Sequence, residues 1–146
     1  MYRRPAYFAL LIGAMLLASC YSSNYRREML ASVALVAQLS DKLTDYCRAD
    51  FIVDRHPLSS EEMGEFYYGL KKARAFQQMT AKRYGSEASV KAFAALVEAY
   101  ENFLRDADQY RLNPSHTHDQ LEQLLKDHDL VRQRAEEAKR ALSTES

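Results

Sequence analysis

The stretch Ser86–Leu112, SEASVKAFAALVEAYENFLRDADQYRL, decides the fold class. Val90, Phe93, Val97, Tyr100, Leu104 and Ala107 recur at alternating three- and four-residue steps, and Leu96 and Phe103 flank them. That spacing places one apolar stripe along a helix and does not fit the two-residue alternation of a strand. Ser86 can cap the start. Asn113-Pro114 ends the run, because the residue before a proline avoids the α region.

The same period extends outward in both directions. Upstream, Ser59-Ser60-Glu61-Glu62 reads as a capping box, with Ser59 as N-cap and Glu62 three residues inside. Met63, Phe66, Tyr67, Leu70, Ala73, Phe76 or Gln77, and Thr80 then predict a helix to about Tyr84, with Gly85 as a left-handed cap. Gly64 and Gly69 lie inside it, each costing about 1 kcal/mol against alanine, and predict close approach of a neighbouring helix. Further upstream, Met29, Val33, Val36, Ser40, Leu43 and Cys47 predict a helix from about Asn24 to Arg48, with Leu30, Leu35 and Leu39 widening its face. Ala49–Val53 fits either one more turn or an extended connection, and His56-Pro57 stops any helix. Downstream, Thr117-His118-Asp119-Gln120 reads as a second capping box. Leu121, Leu124, Leu125, His128, Val131, Ala135, Ala138 and Leu142 follow. The second half of that helix is thin in apolar bulk and is expected to fray or protrude, with a disordered tail at 143–146.

Composition agrees. The 146 residues contain four glycines and three prolines, with ten tyrosines and six phenylalanines for a core. Twenty acids balance twenty bases, so no net field favours nucleic acid. The expected fold is all-α: an antiparallel bundle of about four helices, or long helical hairpins, following a cleaved signal peptide.

The first twenty residues support that last phrase. Arg3 and Arg4 precede Ala6–Ala18, an apolar run too short to span a bilayer core, which needs about 20 residues. A basic start, a short apolar run and small residues at its end make a secretory signal; an uncut transmembrane anchor is the alternative. The run ends Leu17-Ala18-Ser19-Cys20, which resembles the bacterial lipobox. The resemblance implies diacylglycerol on the Cys20 thiol, cleavage between Ser19 and Cys20, and N-acylation of the new terminus. It implies no other cofactor. The expected organisation is a signal peptide at 1–19, a lipidated cysteine and short tether at 20–24, a helical domain at 25–142 and the tail. Two or three acyl chains hold a protein firmly where one does not. Tyr21 is not aspartate, which by resemblance to enteric lipoproteins implies the periplasmic face of the outer membrane. Tyr21–Asn24, even extended, reach only about 14 Å, so the domain should sit close to the bilayer, with Arg26 and Arg27 near the headgroups.

Few residues suggest chemistry. No histidine lies four residues from another, His56 is placed in a loop, and His116-x-His118 is no dense ligand set, so no metal site is predicted. His128 is read as a hydrogen-bonded boundary residue. The carboxylates stand where caps and solvated faces want them, and no nucleophile elbow or phosphate loop occurs, so neither catalytic residues nor enzyme activity is expected. With Cys20 lipidated, Cys47 is left without a partner in its own chain; burial is the preferred reading, with an intermolecular bridge as alternative. Lys71, Lys72 and Arg74 read as a solvated face. Phe66-Tyr67-Tyr68 span about 200° of arc, so they cannot all face one core. Tyr68 is the one to fall outside, either free for a protein contact or, by preference, packed on the connection near Phe51 or Ile52. The three form the candidate partner contact.

These observations suggest a non-enzymatic lipoprotein that tethers, chaperones or serves as an accessory subunit for an envelope protein. It is similar in architecture to small helical secretin pilotins, although a single mature cysteine departs from members with an internal disulfide. A self-associating coiled-coil lipoprotein and a bundle holding a hydrophobic ligand are the alternatives.

Overall fold

A computed structural model describes the backbone of residues 5–53, 58–81, 85–113 and 117–144, with side chains from residue 24 onward within those ranges except 52, 53 and 80. The elements are α1 (Pro5–Val53), α2 (Ser60–Phe76), which runs on into a π-helical turn at Gln77–Ala81, α3 (Glu87–Leu112) and α4 (His118–Ser143). No strand occurs among the described residues.

Side-chain pairs fix the directions. Tyr25 meets Ser89 near the start of α3, and the Tyr110 hydroxyl donates to the Cys47 carbonyl near its end, so α1 and α3 run parallel. Lys42 pairs with Glu65 while Tyr25 stacks on Phe76, so α2 runs back along α1. His128 bonds Asp41 and His118 packs edge-on to Phe51, so α4 does the same. Both α1 and α3 pack against α2 and α4, and they also touch each other across the diagonal. The fold is an up-down-up-down four-helix bundle with the helices around it in chain order.

The core is the set of predicted stripes. Met29, Val33, Val36, Ser40, Leu43 and Cys47 are all buried, as are Phe93, Leu96, Val97, Tyr100, Phe103, Leu104 and Ala107. The two polar positions of α1 bond within their own helix: Ser40 Oγ donates to the Ala37 carbonyl, and Thr44 Oγ1 to that of Ser40. The Ser59 and Thr117 capping boxes both form, and Ser86 caps α3.

Four expectations need correction, and one open reading is decided. First, α1 begins at Pro5 rather than near Asn24, and Tyr21–Asn24, expected as a short tether, are helical in the full-length chain. After Pro5 no proline interrupts the run, and a nucleated helix propagates until something stops it. Second, Ala49–Val53, left open between one more helical turn and an extended connection, completes α1 as helix. Third, regular α2 stops at Phe76 rather than near Tyr84, because the chain widens into the π turn. Fourth, Gly85 is not left-handed. A Cβ there would collide with the Tyr25 hydroxyl and come within 2.8 Å of the Ala81 carbonyl oxygen and Val90 Cγ2, so glycine serves close packing. Fifth, the thin end of α4 is docked: Val131, Ala135, Ala138 and Leu142 are all buried. Alanines at the contact let the helix axes come close, so little apolar bulk is needed.

The two glycines of α2 separate. Gly69 is buried, and a Cβ there would run into Leu39 Cδ1, as the expected close approach requires. At Gly64 a Cβ would meet nothing within 4 Å. Gly64→Ala should therefore stabilise the fold by about 0.5–1 kcal/mol, the helix-propensity difference alone, measured by urea titration. A loss of stability would show that a neighbour occupies that space.

Candidate functional site

The side chains of the lipobox-like stretch, Leu17, Ala18, Ser19 and Cys20, lie outside the described residues; their backbone is part of α1. The described part of the site begins at the end of the bundle nearest Cys20.

Tyr25 seals that end. It is buried, donates to Met29 Sδ (3.1 Å), shares a hydrogen bond with Ser89 Oγ (3.1 Å) and stacks on Phe76 at 6.2 Å, which in turn packs edge-on to Phe93 at 5.3 Å. Residue 25 thus ties α1 to α2 and α3 only five positions after Cys20. At 1.5 Å per helical residue that is about 8 Å of chain. Beside this plug, the π turn leaves Met79 75% exposed.

Charge divides by end. Near Cys20 stand Arg26 and Arg27 of α1, Lys91 early in α3 and Lys139 and Arg140 late in α4, opposed by Glu28, Glu87, Glu137 and Glu136, the last paired with Lys139. At the far end, acids dominate: Asp45, Asp50, Glu61, Glu62, Asp108, Asp119 and Glu122 against Arg48, Arg111 and Lys126, the last paired with Glu122. The described part of the bundle is therefore dipolar along its axis, which composition alone does not reveal.

The aromatic trio does not act as one surface. Phe66 is 1% exposed: its ring meets Tyr46 edge-on at 6.5 Å, and its carbonyl accepts the Tyr100 hydroxyl at 3.1 Å. It is a core residue and is withdrawn from the contact set. Tyr67 and Tyr68 reach the surface, at 41% and 57% exposure. Tyr67 bonds Asp108, and burial followed by the Asp108 charge raises its phenol above the ordinary range. Asp108 is clamped by Arg111 through Nε and Nη2 (2.9 and 2.7 Å), and Arg111 also donates to the Leu58 carbonyl at 3.0 Å. The α1–α2 connection and the Ile52 side chain, on which Tyr68 was expected to pack, lie outside the described residues; Phe51 turns to His118, and the Lys72 ammonium stands 4.8 Å over the Tyr68 ring.

Cys47 is buried, as expected. Burial first, then the nearby Asp50 charge, push its thiol up to about 12. An activated nucleophile has the opposite shift. A cleft of ≈ 160 Å³ opens beside it, lined by Tyr46, Asp50, Leu58, Tyr110 and Arg111. That is smaller than the roughly 300–1,000 Å³ typical of small-molecule sites.

Among the histidines, His128 is the predicted boundary residue, buried with Nε2 2.6 Å from Asp41 Oδ1. His56 and His116 lie outside the described residues. One grouping is not a histidine pair and was missed for that reason: His118, Asp119 and Glu122 bring ligand atoms within 4.8 Å of one another, and the His118–Glu122 spacing was its signal. All three are exposed on the first turn of α4, where the helix dipole opposes a cation. Between α3 and α4, Asp127 faces Asp106, and its pKa is raised by burial first and by this second carboxyl next. Folding thus favours the protonated form of Asp127, a contribution that is present in acid and is lost as pH rises.

No family model matches the chain, and comparisons with curated proteins and with solved structures find no significant match.

Proposed function

We propose that the protein is a lipid-anchored, non-enzymatic lipoprotein of the bacterial envelope that holds or guides a protein partner at the membrane surface. The observation that carries this is the junction at Cys20: a lipobox-like sequence followed, five residues later, by the buried Tyr25 of a four-helix bundle. So short a link suits work at the bilayer rather than reach across the periplasm. By resemblance the destination is the periplasmic face of the outer membrane. Tyr67 and Tyr68, on the flank of α2, are the candidate partner contact. Tyrosine brings a large apolar area with a polar tip, which favours it in interfaces.

The self-associating alternative loses its best support, because the stripes of α1 and α3 are used inside the bundle and leave no second seam among the described residues. For the ligand-holding alternative the described residues offer small clefts of ≈ 160 to ≈ 180 Å³, the one beside Cys47 among them.

Growth with a labelled fatty acid tests the reading. The wild-type chain should take up label and sediment with membranes, and Cys20→Ser should do neither. Equal labelling of the two, or wild-type protein free in the periplasm, overturns it. Site-specific photocrosslinking at Tyr68 should give one dominant adduct, absent from the same probe at exposed Gln133 of α4.

A further inference from the structure

The polarity of the bundle assigns it an orientation. We propose that the end nearest Cys20 is itself a lipid-docking face: its basic side chains lie in the headgroups of an anionic leaflet, Met79 dips among them, and the bundle stands end-on. This rests on the anchoring reading but goes beyond it, since an acylated cysteine fixes one point and no orientation.

Three observations converge. The first is distance. Cys20 and the Tyr25 plug are joined by five residues, so the end face cannot leave the membrane surface by much more than its own side-chain lengths. The second is charge. Arg26, Arg27, Lys91 and Arg140 surround that face, while the acidic majority lies beyond residue 40 of α1, about 20–35 Å further along the axis at 1.5 Å per residue. Anionic headgroups attract the near end within a Debye length of about 8 Å. They repel the far end if the bundle tips over. Both terms favour the upright pose. The third is shape. Met79 is the most exposed large apolar side chain among the described residues, and it projects from the π turn at this same end. An unbranched thioether can enter the headgroup layer at little cost in packing elsewhere.

The chain has no tryptophan, so a single indole reports one position without background. Met79→Trp and Leu112→Trp place that indole at the near and far ends, at residues 75% and 65% exposed, where neither change disturbs the core. The mature acylated proteins, beginning at Cys20, would be reconstituted into vesicles of phosphatidylglycerol carrying brominated acyl chains. The indole of the Met79→Trp protein should be quenched at least twofold more than that of the Leu112→Trp protein. Arg26→Glu with Arg27→Glu, or vesicles of phosphatidylcholine alone, should bring that ratio close to one while flotation with the vesicles persists. Equal quenching of both indoles in phosphatidylglycerol, with the protein still floating, overturns the docking face and leaves the anchor standing. Failure to float overturns both.

Discussion

Phe103→Ala is expected to lower the unfolding free energy by about 3–5 kcal/mol, enough to consume much of a typical domain's 5–15 kcal/mol. The side chain is wholly buried in α3. Its ring lies 6.0 Å from that of His128 on α4, and His128 in turn holds Asp41 on α1 at 2.6 Å. Removing the ring leaves a void in the most extensive helix pairing of the bundle, that of α3 with α4. It also takes away the surface against which the imidazole is oriented. The loss is therefore transfer energy and cavity together, with a smaller contribution from a loosened inter-helix hydrogen bond. Leu112→Ala, on the same helix but exposed, should change stability by less than about 0.5 kcal/mol. Urea titration of the two variants in a Cys20→Ser background, free of acyl chains, makes the comparison. A loss below about 1 kcal/mol for Phe103→Ala, far under the usual cost of such a truncation, would mean that α3 and α4 do not pack through this residue.

The legibility of the fold followed the apolar period. Where three- and four-residue steps repeated, in α1, α3 and the first half of α2, most stripe residues became the core, with Tyr67 and Leu30 exposed and Val90 partly buried. Both capping boxes were readable because each uses two side chains at fixed spacing, Ser59 with Glu62 and Thr117 with Gln120. The errors fell where a small residue carries the contact. Ala135 and Ala138 looked like a weak face, yet they allow α4 to sit close. Gly85 looked like a cap, yet it is needed because Tyr25, Ala81 and Val90 crowd it. Tyr25 itself went unnoticed although it stands four residues before Met29 on the same stripe; its polar tip suits a surface residue, and only the fold supplies Ser89 beside it. The candidate site was less legible still. Local sequence could suggest a lipobox, but the separation of basic and acidic ends depends on which helix termini coincide, and that is set by topology. Likewise, Phe66 and Tyr68 are two residues apart, and only the position of α1 decides that one is core and the other exposed.

Cys47 should be nearly inert in the native protein and fully reactive once unfolded. In the Cys20→Ser chain it is the sole thiol, so the measurement is clean. Its thiol is pushed up from 9.0 to about 12, with burial the larger cause and the Asp50 charge the smaller. A shift of that size reduces the thiolate at neutral pH about a thousandfold, since each unit is a factor of ten. A disulfide reagent reacts with thiolate only, so native labelling at pH 8 should be at least about a thousandfold slower than in urea, and no disulfide-linked dimer should accumulate. The same shift has a consequence for stability. A group whose pKa is raised by folding binds its proton more tightly in the native state, so its contribution is complete below the unfolded value and is lost as pH rises towards the folded one. For Cys47 that window runs from pH 9.0 to about 12. Tyr110 acts in the same direction, pushed from 10.0 to about 12 by burial and then by Cys47 and Asp50, and burial raises Tyr100 as well. All three groups sit where α1, α2 and α3 meet: the Tyr110 hydroxyl bonds the Cys47 carbonyl and the Tyr100 hydroxyl bonds that of Phe66. The bundle should thus lose stability steeply between about pH 9 and 12 and unfold in alkali. Cys47→Ala should flatten the first part of that decline, from about pH 9 upward, and Tyr110→Phe the part above about pH 10. Circular dichroism followed through an alkaline titration reads both effects. A wild-type transition that stays level to about pH 12, or rapid labelling of the native thiol, would place Cys47 at the surface and contradict the packing of α1 against α3.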